Sequence, residues 1–188
     1  MNLWLIRHAP ALIAAGTCYG RLDVAADEAA TRATALSLAS ALPPGIAVDC
    51  SPLKRCTQLL DALLTLRPDL DATHNARLQE MDFGLWEGQR WDAISEDELN
   101  EWTSSFASYA PGGGECLSHF MQRVAKHFDE VIHSAKDTAW ITHAGVARAA
   151  ALLSQGIRRV DDAAMWPKDA PAPGAWTVLT LDAKTMRY

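Results

Sequence analysis

Arg7 and His8 end the short apolar run in LWLIRHAP (3–10), and a second histidine, His143, follows another such run in TAWITHAGVAR (138–148). Arginine offers a planar, permanently charged fork for phosphoryl oxygens, and a neutral imidazole nitrogen is able to attack phosphorus. Arg55, in CSPLKRCTQ (50–58), falls in the first turn of a predicted helix, whose N-terminus also favours an anion. Glu80, in RLQEMDFGLWEG (77–88), has Leu78, Met81, Phe83 and Trp86 as sequence neighbours. A carboxyl in apolar company keeps its proton more readily, as a general acid must.

Each of these residues has a plainer reading on its own: a structural histidine, a solvated charge, a surface glutamate. Together, two arginines, two histidines and one glutamate suit hydrolysis of a phosphate monoester through a phosphohistidine. The arginines neutralise the phosphoryl oxygens, an imidazole attacks in line, and Glu80 protonates the leaving alkoxide. That scheme requires no metal and no cofactor, and the sequence has no H-E-x-x-H or similar ligand spacing. His119, His127 and His133 fall on a long amphipathic helix and are expected to be solvated.

The elements that must position these groups are readable from apolar spacing. Residues 2–7, 46–49, 138–142 and 175–181 read as buried strands. Residues 26–42 and 52–66 read as helices, the second with Ser51 as N-cap and Pro52 at its first position. Within residues 114–135, Leu117, Phe120, Met121, Val124, Phe128, Val131 and Ile132 recur at helical spacing and predict one long helix. Strands alternating with helices imply an α/β fold, a three-layer α/β/α sandwich with a largely parallel, mixed central sheet. In such sheets ligands sit beyond the carboxyl ends of the strands. Arg7 and His8 are therefore expected in that crevice with the loop GTCYGR (16–21), and Ala144 and Gly145 allow a helix to start close by. The irregular stretch 79–114 is expected to fold over the active site, and 166–174 reads as a loop.

At 188 residues the chain fits one domain, and 49% hydrophobic with 21% charged residues is the balance of a globular protein. A net charge of −6 argues against a general nucleic-acid or anionic-membrane surface, so any anion site is local. The four cysteines lack C-x-x-C or zinc spacing and read as reduced thiols of a cytoplasmic protein. No apolar run approaches the length of a membrane helix. A homodimer through a sheet edge or helix face is compatible with the sequence.

In family order, LIRHA, SPLKRCTQ, LQEMDFGLWEG, PGGGE and THAGVAR resemble the motifs of the histidine phosphatase superfamily, in its phosphoglycerate mutase-like branch. The resemblance implies that fold over residues 1–188, His8 as the phosphorylated nucleophile, Arg7, Arg55 and His143 as phosphate-pocket residues, and Glu80 as proton donor. Cys18, Tyr19, Gly20, Arg21 and Ala144 become candidates for phosphate or substrate binding. The short length, CYGRLDV (18–24) and FGLWEG are more similar still to α-ribazole phosphatases of cobalamin biosynthesis. The substrate implied is α-ribazole 5'-phosphate, or the 5'-phosphate of adenosylcobalamin. A broad-range phosphatase, a mutase and a non-catalytic phosphate-binding protein are the alternatives. Trp91, Trp102 and Phe106 would serve equally as a stacking surface or as core.

Overall fold

Strand β1 (Asn2–Arg7) sends Leu3 and Leu5 into one hydrophobic cluster and Ile6 into another, the two-residue alternation of a strand covered on both faces. Strand β4 (Thr138–Thr142) does the same, with Trp140 on the first side and Ala139 and Ile141 on the second. Helices α1 (Glu28–Ala41) and α2 (Lys54–Leu66) pack on the Ile6 face, and α4 (Leu117–Ser134) and α5 (Ala144–Ser154) on the Leu3 face. The result is an α/β/α sandwich, seen here in a computed structural model that describes residues 1–181.

With β2 (Ala47–Cys50), β3 (Asp71–His74) and β5 (Trp176–Thr180), the sheet order is β3-β2-β4-β1-β5. All pairs are parallel except β1 with β5. Strand β3 has no counterpart among the predicted strands. Its residues Asp71, Ala72, Thr73 and His74 lack an apolar run, and the strand exists through backbone pairing at an edge. Among the described residues no helix is long and apolar enough to cross a membrane.

Two local expectations need correction. Helix α2 starts at Lys54, not Pro52, and Ser51 does not cap it: the Lys54 amide instead donates to Asp23 Oδ1 at 2.6 Å. His127 is 5% exposed and not solvated. Its helical phase, three residues after Val124, turns it inward, where it stacks on Trp140 at 4.9 Å with Nε2 3.0 Å from Asp49 Oδ2.

The stretch 79–114 holds three short 3-10 turns and helix α3 (Glu96–Ser104). Ser95 Oγ accepts from the Glu98 amide, and the Glu98 carboxylate accepts from the Ser95 hydroxyl and backbone amide, a capping box that fixes where α3 begins. A small third cluster joins Cys18, Trp86 and Ile94 to Phe83, Trp91 and Trp102. Close backbone contact builds this lobe. Gly112 has φ +57°, and a Cβ there would meet the Leu85 and Trp86 amides at 2.7 Å.

Candidate active site

Parallel pairing of Arg7 with Thr142 brings the ends of β1 and β4 level, so the next residues, His8 and His143, emerge side by side. Their ring centroids are 5.2 Å apart. Strand β2 ends beside them, and α2 carries Arg55 back between the two rings.

Hydrogen bonding fixes the proton positions. His8 Nδ1 lies 2.6 Å from the Ala9 carbonyl, where only an N–H fits, so Nε2 is the free base nitrogen. Arg55 Nε–H donates to His8 Nε2 and to His143 Nδ1, each at 3.2 Å. His143 then carries its proton on Nε2, which donates to Ser51 Oγ at 2.8 Å. Burial, then the Arg55 charge, with Arg7 adding to it, lowers the His8 pKa to about 3 against the opposing Ala9 bond. Burial and the same arginine push His143 well below the usual histidine value. Both imidazoles are therefore neutral near pH 7.

Arg55 is fully buried, with Nη2 donating to the Gly20 carbonyl at 2.6 Å and Nη1 to the Leu22 carbonyl at 2.9 Å. Among the described residues no carboxylate pairs with it, so its charge stays available to an anion. The Tyr19 ring lies 5.4 Å from its guanidinium carbon. The Glu87 carboxylate holds this loop in place by accepting from the Arg21, Leu22 and Phe83 amides.

Arg7 lines the same cavity; Nη1 donates to the Pro171 carbonyl at 3.0 Å and its buried Nε has no protein partner. Tyr19 and Ala144 are on the wall as well. Gly20 contributes only its carbonyl, and its backbone sits too close to Met81 for any side chain. Cys18 and Arg21, expected at the phosphate, lie elsewhere. Cys18 is buried against Trp86 and Ile94, and burial pushes its thiol up to about 12. Arg21 turns outward to Asp82 at 3.3 Å and Gln79 at 3.0 Å.

Glu80 faces the cavity but is not isolated among apolar groups. Its Oε2 accepts from the Gly145 amide at 2.9 Å and its Oε1 from the Met81 amide at 3.2 Å. The carboxylate thus rests on the N-terminus of α5, and a Cβ on Gly145 would run into it. Arg123 holds the backbone beneath, donating to the carbonyls of Arg77, Gln79 and Glu80 while gripping Glu115 with two bonds of 2.7 and 2.8 Å. Glu115 ends the PGGGE motif, which explains why that motif and the Glu80 loop go together.

The cavity measures about 730 Å³, within the usual range for small-molecule sites. Arg7, His8, Arg55, Glu80, Arg148 and Lys168 line it together with the rings of Phe83, Trp91, Trp102, Phe106, Phe120 and Trp166. Ser51, Arg123, Glu87 and Arg148 are parts of the site that sequence reasoning missed. Arg148 had a usable signal, standing one helical turn beyond Ala144 on the same face of α5. The other three act through contacts distant in sequence.

Two neutral imidazoles joined by a buried arginine at the carboxyl ends of parallel strands, with a carboxylate opposite, define a class of anion-handling α/β protein. The chain belongs to the histidine phosphatase superfamily (branch 1), whose family model matches residues 3–188. Among solved structures, a mycobacterial glucosyl-3-phosphoglycerate phosphatase is similar with a TM-score of 0.76 at 22% identity, over 94% of this chain and 88% of its own. A proposed alpha-ribazole-5'-P phosphatase of Escherichia coli reaches 0.79 at 23% identity, over 95% and 89%. The protein TTHB049 of Thermus thermophilus reaches 0.71 at 27% identity, over 95% and 93%. These likenesses establish the phosphoglycerate mutase-like fold. No curated protein sequence gives a match.

Proposed function

We propose that the chain hydrolyses a phosphate monoester through a phosphohistidine on His8. The observation that carries this is the His8 tautomer: Nδ1–H is tied to the Ala9 carbonyl, leaving an unprotonated Nε2 beside Arg55 at the cavity. Nε2 attacks phosphorus, the P–O ester bond breaks, and Glu80 gives a proton to the departing alkoxide. Water then attacks the phosphohistidine and returns a proton to Glu80, releasing phosphate and free His8. Arg7 and Arg55 match the equatorial phosphoryl charge, and His143, with a proton on Nε2, adds a donor if it turns from Ser51.

For the leaving group, the six aromatic rings support a flat, apolar ring system. The 5'-phosphate of α-ribazole, or of adenosylcobalamin, fits that description and agrees with the resemblance of the CYGRLDV and FGLWEG segments. A cytoplasmic place in cobalamin assembly belongs to the same reading.

The test is an acid-labile phosphoenzyme and phosphate release, comparing α-ribazole 5'-phosphate with simple sugar phosphates and nitrophenyl phosphate. Preference for the ribazole ester by about a hundredfold, roughly 2.7 kcal/mol of transition-state binding, supports the assignment. A flat profile removes the cobalamin substrate, and a phosphoenzyme that persists in His8→Ala removes the mechanism.

A further inference from the structure

The hydrolytic scheme gives no task to Arg148, although it lines the cavity. Its Nε is buried and has no hydrogen-bond partner, while Nη2 is fixed on the Lys168 carbonyl at 3.0 Å. The side chain as a whole is half-buried, but a buried N–H without a partner is costly to keep, and a bound acceptor would relieve that cost. Arg148 lines the cavity together with Glu80, the proton donor, and interacts electrostatically with both Glu80 and Arg7. Lys168 is exposed and lines the same cavity.

Charge points the same way. Arg7, Arg55, Arg148 and Lys168 face the cavity against one carboxylate, Glu80, and both histidines are neutral. With Glu80 protonated, as its role of donor requires, a monoester dianion leaves two of these four positive charges unmatched. Asp169 also interacts with Arg148 but does not line the cavity.

We infer that Arg148 and Lys168 form an anion subsite beyond the scissile ester, so that the preferred leaving group carries its own carboxylate or phosphodiester. This rests on the monoesterase reading of the cavity and narrows it. Of the two cobalamin-related esters named above, the adenosylcobalamin phosphate has a phosphodiester next to its riboside and the free ribazole ester has none.

The experiment compares matched esters: 3-phosphoglycerate against glycerol 3-phosphate, and a nucleoside 5'-phosphate with and without a methyl phosphodiester at the 3' oxygen. The wild-type protein is expected to favour the anionic member of at least one pair by about tenfold or more in kcat/KM. The pair that responds tells carboxylate from phosphodiester. Arg148→Gln is expected to lose most of that preference, and Arg148→Lys to keep part of it. Equal rates within both pairs overturn the subsite, as does an Arg148→Gln variant that slows both members alike, since the arginine then acts through Glu80 or the fold. If nitrophenyl phosphate is cleaved through His8 in the same preparation, only the subsite fails. If no monoester is cleaved and no phosphoenzyme forms, the monoesterase reading fails with it.

Discussion

Arg55 Nε lies 3.2 Å from His8 Nε2 and equally far from His143 Nδ1, so a single N–H group joins the two imidazoles. The other guanidinium nitrogens are anchored on the Gly20 and Leu22 carbonyls, which hold the charge at the two rings; attack by His8 Nε2 requires the shared Nε–H to pass to His143 Nδ1. Lysine keeps the charge but has no fork with which to make these bonds together. Arg55→Lys is expected to lower kcat for nitrophenyl phosphate by about 10²–10³-fold. Unchanged turnover in a variant that folds would show that the bridge is incidental to the chemistry.

Acid should weaken the fold through the same two rings. His8 titrates at about 3 when folded against 6.5 as its ordinary value, and His143 is displaced in the same direction. Below about pH 6.5 the unfolded chain takes up protons that the folded chain refuses, so stability is full above that point and falls as pH drops toward about 3. Urea midpoints measured between about pH 7 and about pH 5 should decline in the wild type and decline less in His8→Gln. A midpoint that is flat across this window would contradict neutral buried imidazoles.

Gly145 tests the seat of Glu80. Its added methyl would displace the carboxylate from the start of α5. Gly145→Ala should slow esters with poor leaving groups by about 10²-fold while sparing nitrophenyl phosphate, which leaves without a proton. Equal losses on the two kinds of ester would remove Glu80 as the donor.

Arg123 bears on stability as well as on position. Its guanidinium joins α4 to the backbone of Arg77, Gln79 and Glu80 and to Glu115, with both charged side chains mostly buried. Arg123→Leu strands Glu115 and should cost about 3 kcal/mol in urea unfolding. A loss within about 0.5 kcal/mol would mean that water replaces the clamp at no cost.

The layers of the fold and the strand-end residues were readable in the sequence because apolar runs stop abruptly at Arg7, Cys50 and Thr142, leaving the next residues at the rim. Strand β3 was not, since an edge strand held by backbone pairing needs no hydrophobic pattern. The cap of α2 was misplaced because Ser-Pro before a helix is a good local signal, whereas Asp23 reaches that amide from 31 residues away. Cys18 and Arg21 sit in a loop whose facing was set by Glu87, Trp86 and Asp82, partners that no local pattern connects to them. Arg148 belongs to THAGVAR, but it stands a turn into α5, beyond the strand-end pattern that marks His143.

Helix α3 has no buried residue of its own and meets the rest of the protein through the aromatic lobe. The paired imidazoles, by contrast, stand on the central β1–β4 seam. On warming, the lobe is expected to loosen at a lower temperature than the seam, as sparsely packed units open first. Discrimination among leaving groups would then fade while small activated esters are still being turned over. Loss of turnover itself would coincide with melting of the sheet.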